Sequence, residues 1–151
     1  MEEASFDFRA VSLDDGASLA DMRVEAMRPS LERLGRFDAN RACTRFLNAF
    51  SPEHTREIVS DGVRVGFFAV RPKDGGLVLE HLYVRPSYQG RGIGAAVLHA
   101  VFADADAEGL EVRIGALLES DSNRFYLRHG FQLEQQAEFD NYYVRMPGHA
   151  T

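Results

Sequence analysis

The sequence predicts an α+β fold, a mixed but mostly antiparallel sheet flanked by helices, and three observations carry that prediction. Segments with the two-residue apolar period of strands and segments with a helical period alternate in a definite order. It runs strand, two helices, three strands, helix, strand, helix, two strands. Three strands in a row stand before the first strand–helix crossover, which disfavours a doubly wound parallel sheet. Between the last of them and the next helix lies a glycine-rich turn, Gln89-Gly90-Arg91-Gly92-Ile93-Gly94. A chain of 151 residues fits a single domain over 1–151, long enough to bury a core.

Each element has a local reason. Phe6 to Val11 alternates apolar and polar residues, the pattern of a half-buried edge strand. Ser12 or Asp14 can cap a helix from about Asp15 to Arg28, whose Leu19, Met22, Ala26 and Met27 share one face; Pro29 ends it or opens the next turn. A second helical region, Leu31 to Phe50, is broken at Gly35 and restarted by Asp38 as a cap. Glu57–Ser60 and Val63–Val70 flank Asp61-Gly62 and read as a hairpin. The turn Lys73–Gly76 then delivers the chain into the central strand Leu77–Val84. The helix after the glycine turn stops at Glu108-Gly109, and Leu110–Leu118 is a buried strand. Asp121–His129 is a short helix capped by Ser120 or Asp121 and terminated by Gly130, and Phe131–Gln136 and Phe139–Met146 are the last strands.

Composition narrows the function classes. With 45% hydrophobic and 26% charged residues, the chain has the make-up of a water-soluble globular protein, with no run that spans a bilayer. The acidic start MEEASFDF lacks the marks of a secretory or transit peptide, and the lone Cys43 has no internal disulfide partner; the expectation is a cytoplasmic protein. A net charge of −6 argues against nucleic acid or anionic membrane as a partner. No His/Cys/Asp/Glu cluster has metal-ligand spacing, so no metal is expected.

The glycine turn is the most informative stretch. Three glycines within Gly90–Gly94 remove the Cβ atoms that would keep a bulky anion from the backbone. The helix that follows offers unpaired N–H groups and its positive end, which suits a phosphate or pyrophosphate. Gly90-x-Gly92-x-x-Ala95 formally satisfies the dinucleotide fingerprint, but that motif belongs on the first strand of a βαβαβ unit and here sits mid-chain. Walker A fails, because no Gly-Lys-Ser/Thr follows.

The same residues satisfy Gln/Arg-x-x-Gly-x-Gly/Ala at every fixed position. The flanks His81-Leu82-Tyr83-Val84, Pro86 and Tyr88 fit as well. On these motifs, and on element order over essentially the full length, the chain resembles the GNAT N-acetyltransferases. The resemblance implies acetyl-CoA as acyl donor, its pyrophosphate held at Gln89, Gly90, Arg91, Gly92, Gly94 and Ala95. It implies a sheet splayed between its two central strands, where a backbone N–H among Leu82, Tyr83 and Val84 bonds the thioester carbonyl. A homodimer through the last strands is common among such proteins.

Further roles follow from that resemblance. Tyr126 lies four residues before Gly130-Phe131, as in the family's Tyr-x-x-x-Gly-Phe segment, whose tyrosine protonates the departing thiolate; otherwise it is a core aromatic. Family members often carry asparagine seven positions before that tyrosine, but here Glu119 stands there. Asn123 matches a variant segment and is the alternative contact for the pantetheine arm.

The attacking amine needs a route for its proton, because an alkyl ammonium has a pKa near ~10.4. Glu80, a carboxylate in an apolar strand, is the candidate base unless it serves an ion pair; His81 is the runner-up and a water chain a third route. Arg23, Arg28, Arg36, Arg41 and Arg45 crowd the first two helices. They form either a solvated face or, with Arg23, Arg41 and Arg45 at the acceptor side, a clamp for an anionic group. The expected activity is acetyl transfer to a primary amine, small and anionic or part of a peptide. The competing readings are an acyl-CoA-binding sensor and a nicotinamide-dependent oxidoreductase.

Overall fold

The computed structural model describes residues 6–33, 35, 38–118 and 120–148. Strand β1 (Phe6–Ala10) leads through a short 3-10 turn into helices α1 (Gly16–Arg33) and α2 (Ala39–Ala49). Strands β2 (Thr55–Ser60), β3 (Val63–Lys73) and β4 (Gly76–Val84) follow, then a 3-10 turn at Pro86–Tyr88 and helix α3 (Ile93–Glu108). Strand β5 (Val112–Leu117), helix α4 (Ser122–Arg128) and strands β6 (Gln132–Gln136) and β7 (Asp140–Arg145) complete the order read from the sequence. The strands form one sheet in the order β1-β2-β3-β4-β5-β7-β6. Pairing is parallel between β4 and β5 and antiparallel for β1–β2, β2–β3, β5–β7 and β6–β7.

The chain divides into two compact units, Met1–Ala69 with His81–Gly94, and Val70–Glu80 with Ala95–Thr151. In the first, α1 and α2 bury Leu19, Ala20, Met22 and Phe46 with Phe67 of β3, and Tyr83 packs at the margin. Each of the larger ones, Leu19, Met22, Phe46 and Phe67, contributes about 1.5–3 kcal/mol once out of water. Asp38 caps α2 as predicted, its carboxylate accepting from the Arg41 N–H at 3.0 Å. Arg64 of β3 ties the start of α1 to the sheet, bonding Asp15 at 2.8 Å, Ser18 at 2.7 Å and Glu57 at 2.8 Å. The expected stop at Pro29 does not occur, and α1 runs on to Arg33 with the proline inside it. Proline removes one N–H and crowds one carbonyl, a local cost borne by a helix whose Leu19, Ala20 and Met22 are buried upstream.

In the second unit the ladder from β4 to β5 consists of Leu77↔Val112 and Val78↔Arg113. Beyond it β5 pairs with β7 along its whole length, Val112↔Arg145 to Leu117↔Asp140. Gly109 (φ 68°) ends α3 in a left-handed turn in which the Leu110 N–H reaches the Ala105 carbonyl at 2.8 Å. Gly130 (φ 92°) ends α4 in the same way. Arg145 spans from β7 to α3, with both guanidinium nitrogens on Asp106 at 2.8 and 3.1 Å and its plane 3.9 Å over the Phe102 ring. Among the described residues no helix is long and apolar enough to cross a membrane.

Candidate active site

The first unit holds the end of β4 and the glycine turn. A Cβ at Gly66 of β3 would collide with the Tyr83 carbonyl oxygen and stand 3.1 Å from the Val84 Cα. The absent side chain is what lets the two strand backbones meet here. The Tyr83 carbonyl thus faces β3, and the Arg85 N–H donates in the same direction, to the Val65 carbonyl at 2.8 Å. In a trans peptide the C=O and the following N–H point opposite ways. The N–H and C=O of Val84 therefore lie along the β4 edge turned away from β3.

The Val84 carbonyl on that edge accepts from Gln89 Nε2 at 2.9 Å, and the Gln89 N–H is itself taken by the Pro86 carbonyl at 3.2 Å. Gln89 is thus a strut between the turn and the strand end. Gly90 (φ 79°) and Gly92 (φ 80°) both adopt the left-handed region, which a residue with a Cβ enters only at a cost. The Arg91 guanidinium lies 5.0 Å over the Tyr88 ring. α3 then starts at buried Ile93 and carries no acidic residue in its first turn, so nothing there offsets its positive end. Gly94 and Ala95 supply the next two amides, which have no partner inside the helix.

Beside this edge is an aromatic cluster. Tyr83 and His81 pack against Phe67 at ring distances of 5.3 and 6.0 Å, and Phe46 of α2 closes on His81 at 5.2 Å. The Tyr83 hydroxyl donates to Met27 Sδ at 3.4 Å, and the Arg23 guanidinium of α1 lies beside the same hydroxyl. Burial raises the pKa of this phenol, against the opposing pull of Arg23. The Arg23 Nε is buried and has no hydrogen-bond partner. Arg41 and Arg45 are exposed on α2, flanking buried Ala42 and Phe46. Arg36 lies outside the described residues.

In the second unit Tyr126 is buried on α4, its ring 5.5 Å from Phe131 and 6.2 Å from Tyr143. Asn123, one turn earlier, has its amide filled within the protein. Its Nδ2 donates to the Leu117 and Ser120 carbonyls at 2.8 and 2.7 Å. Its Oδ1 accepts from the Tyr143 hydroxyl at 2.7 Å and from Asn141 Nδ2 at 2.9 Å. Two donors and two lone pairs are all that an amide offers, so a pantetheine contact would displace one of these bonds. Glu119 lies outside the described residues. Glu80 forms an ion pair with Arg71 across the β3–β4 hairpin, both side chains partly exposed. Asn141, Tyr143 and Arg71 were not singled out from sequence, and Met27 only as part of an apolar helix face, because their roles arise from strand register and helix packing. The one available signal was that Tyr142-Tyr143 on a last strand is a place where a phenol meets the core.

Comparison with known proteins gives a consistent result. Residues 53–133 match the family model described as an acetyltransferase (GNAT) domain. An uncharacterized N-acetyltransferase of Mycobacterium tuberculosis H37Rv is 33% identical over 108 residues, covering 68% of this chain and 69% of that protein. A counterpart in Mycobacterium bovis matches to the same extent. Among solved structures, the PaiA N-acetyltransferase of Thermoplasma acidophilum in complex with coenzyme A superposes with a TM-score of 0.77 at 19% identity, over 94% of this chain and 99% of that one. An acetyltransferase from Thermus thermophilus gives 0.72 at 19% identity, over 97% and 99%. At that identity the two structures speak for the fold.

Proposed function

The chain belongs to the GNAT acetyltransferase family and is an acyltransferase; from that premise we propose that it moves an acetyl group from acetyl-CoA to a primary amine by direct attack. The observation that carries this reading is the orientation of the Val84 peptide, whose N–H lies on the β4 edge turned away from β3. A backbone donor held there by folding is aimed before the reaction begins, so it strengthens as charge grows on the thioester oxygen and needs no reorganisation. The amides that open α3 and the left-handed glycines before it support a diphosphate at the turn.

In the proposed sequence the amine nitrogen attacks the thioester carbon, and the carbonyl oxygen takes up negative charge beside the Val84 N–H. Collapse of that intermediate breaks the C–S bond, and the thiolate takes the Tyr126 hydroxyl proton. The nitrogen gives up its own proton to water, or to Glu80 where the Arg71 ion pair opens to receive it, and solvent reprotonates the phenolate. Glu80 carries the Arg71 ion pair, which fixes the carboxylate's position. Leu82, Tyr83 and Asn123 shape the strand edge and seat α4, and Gln89 acts through the turn it braces.

The test follows free-thiol release from acetyl-CoA with a panel of primary amines, alongside calorimetry with coenzyme A. The reading expects release with some amine, and a loss of about 10²- to 10⁴-fold in kcat for Tyr126→Phe with coenzyme A affinity kept. Coenzyme A binding with no thiol released by any amine would replace the transferase by an acyl-CoA sensor. No binding at all would overturn the cofactor assignment.

A further inference from the structure

Arg23 stands apart from the arginines that pair with acids. Arg9, Arg64, Arg71, Arg113 and Arg145 each meet a carboxylate. No described carboxylate reaches Arg23, although the chain carries 23 acidic residues against 17 lysines and arginines. Its Nε is buried with no hydrogen-bond partner, and the group beside its guanidinium is the neutral Tyr83 hydroxyl. A buried donor without an acceptor is costly, and in a native fold it calls for a partner such as an ordered water, an ion or a bound ligand.

The surroundings define what would complete it. Met27 Sδ, the Phe67 ring and His81 border the Tyr83 side chain, so an ion pair formed here is poorly screened and correspondingly strong. Burial holds the Tyr83 phenol in its protonated form, able to turn its O–H from Met27 toward an anion. One guanidinium and one hydroxyl match a single negative charge; a phosphate dianion would stay half-neutralised. Tyr83 is also the residue before Val84, so an anion at the phenol end sits about one tyrosine side chain from the backbone where transfer is proposed.

We infer that Arg23, with the Tyr83 hydroxyl, binds a carboxylate on the acceptor, making the preferred substrates small amines that carry a carboxylate a few bonds from the nitrogen. The inference rests on the transferase reading. Arg41 and Arg45 are exposed on α2.

The experiment has two independent readouts. Thiol release from acetyl-CoA is measured with glycine, β-alanine and γ-aminobutyrate, with the amides of the same three, and with phosphoethanolamine, for the wild type, Arg23→Gln and Arg23→Lys. The expected result is a preference of roughly 10- to 100-fold in kcat/KM for one of the acids over its amide. Arg23→Gln removes that preference mainly through KM, the acids losing more than their amides, and Arg23→Lys restores part of it. Separately, NMR follows the Arg23 Nε–H signal as the same acids are titrated without acetyl-CoA, and it shifts with the preferred acid. An unmoved Nε–H with equal acid/amide ratios in wild type and Arg23→Gln overturns the inference, as does a preference for phosphoethanolamine. An Nε–H that shifts where no amine releases thiol upholds the carboxylate subsite and defeats the transferase reading alone.

Discussion

Replacing Gly66 by alanine tests the geometry on which the Val84 assignment stands. The new Cβ would collide with the Tyr83 carbonyl oxygen and lie 3.1 Å from both the Tyr83 carbonyl carbon and the Val84 Cα. All three are backbone atoms, so no side chain can swing aside, and β3 and β4 must part. Forced packing of this kind costs about 1–3 kcal/mol. Loss of the bond from the Arg85 N–H to the Val65 carbonyl adds about 1 kcal/mol. The stiffer unfolded chain returns about 0.5 kcal/mol, leaving roughly 1.5–3.5 kcal/mol net. In a chain of 151 residues that lowers Tm by roughly 3–14 °C. The chain has no tryptophan, so urea unfolding is followed by far-UV circular dichroism. Gly115→Ala is the comparator: its Cβ would meet the exposed Tyr142 ring at 3.2 Å, which can move, and the expected cost is below about 1 kcal/mol. Because displacement of the Val84 amide also misaims the proposed donor, kcat should fall by about 10²-fold for a shift approaching 1 Å. A Gly66→Ala protein within about 0.5 kcal/mol of wild type would refute the packing argument. One that is destabilised but turns over normally would remove Val84 from the chemistry.

Two further outcomes follow. Asn123→Ala strips partners from the Leu117 and Ser120 carbonyls, the Tyr143 hydroxyl and the Asn141 amide; unfolding free energy should drop by about 2–4 kcal/mol in urea titrations, and a change below about 1 kcal/mol would show that the network carries little. Asp106 has its carboxyl lowered from 3.8 to about 2 by the Arg145 guanidinium and the Gly148 N–H, so its stabilising effect is complete above about pH 4 and disappears as pH falls toward 2. Melting curves of Asp106→Asn should therefore lie below wild type at neutral pH and converge with it in that acidic window; a gap that persists or widens there would contradict the assigned pairing.

What the sequence discloses is what local chemistry decides. Asp61-Gly62 and Asp74-Gly75 take positive φ at the two hairpin turns, Asp38 caps α2, and Gly109 and Gly130 end their helices. Each depends on residues within a few positions and is legible from them. Pro29 misleads because the decision to continue α1 is made by more than the proline itself. The site divides along the same line. The glycine turn and the Tyr126 spacing stand out as linear patterns. The β7 partners of Asn123 and the placement of Arg23 beside Tyr83 involve residues far away in sequence, so no short window contains them, and the Arg71 partner of Glu80, though only nine positions away, follows from hairpin register rather than from either residue's own surroundings.

The brace from Gln89 to the Val84 carbonyl bears on how the signature of this turn is spelled. Its first letter is Gln or Arg in the family pattern, an odd pairing if that position served to neutralise phosphate, since one side chain is charged and the other is not. As a tether the choice is natural: both end in N–H groups at the tip of a long arm, and a carbonyl asks for nothing else. Glutamate, equal in length to glutamine, could not replace it, because it would bring a lone pair to meet a lone pair.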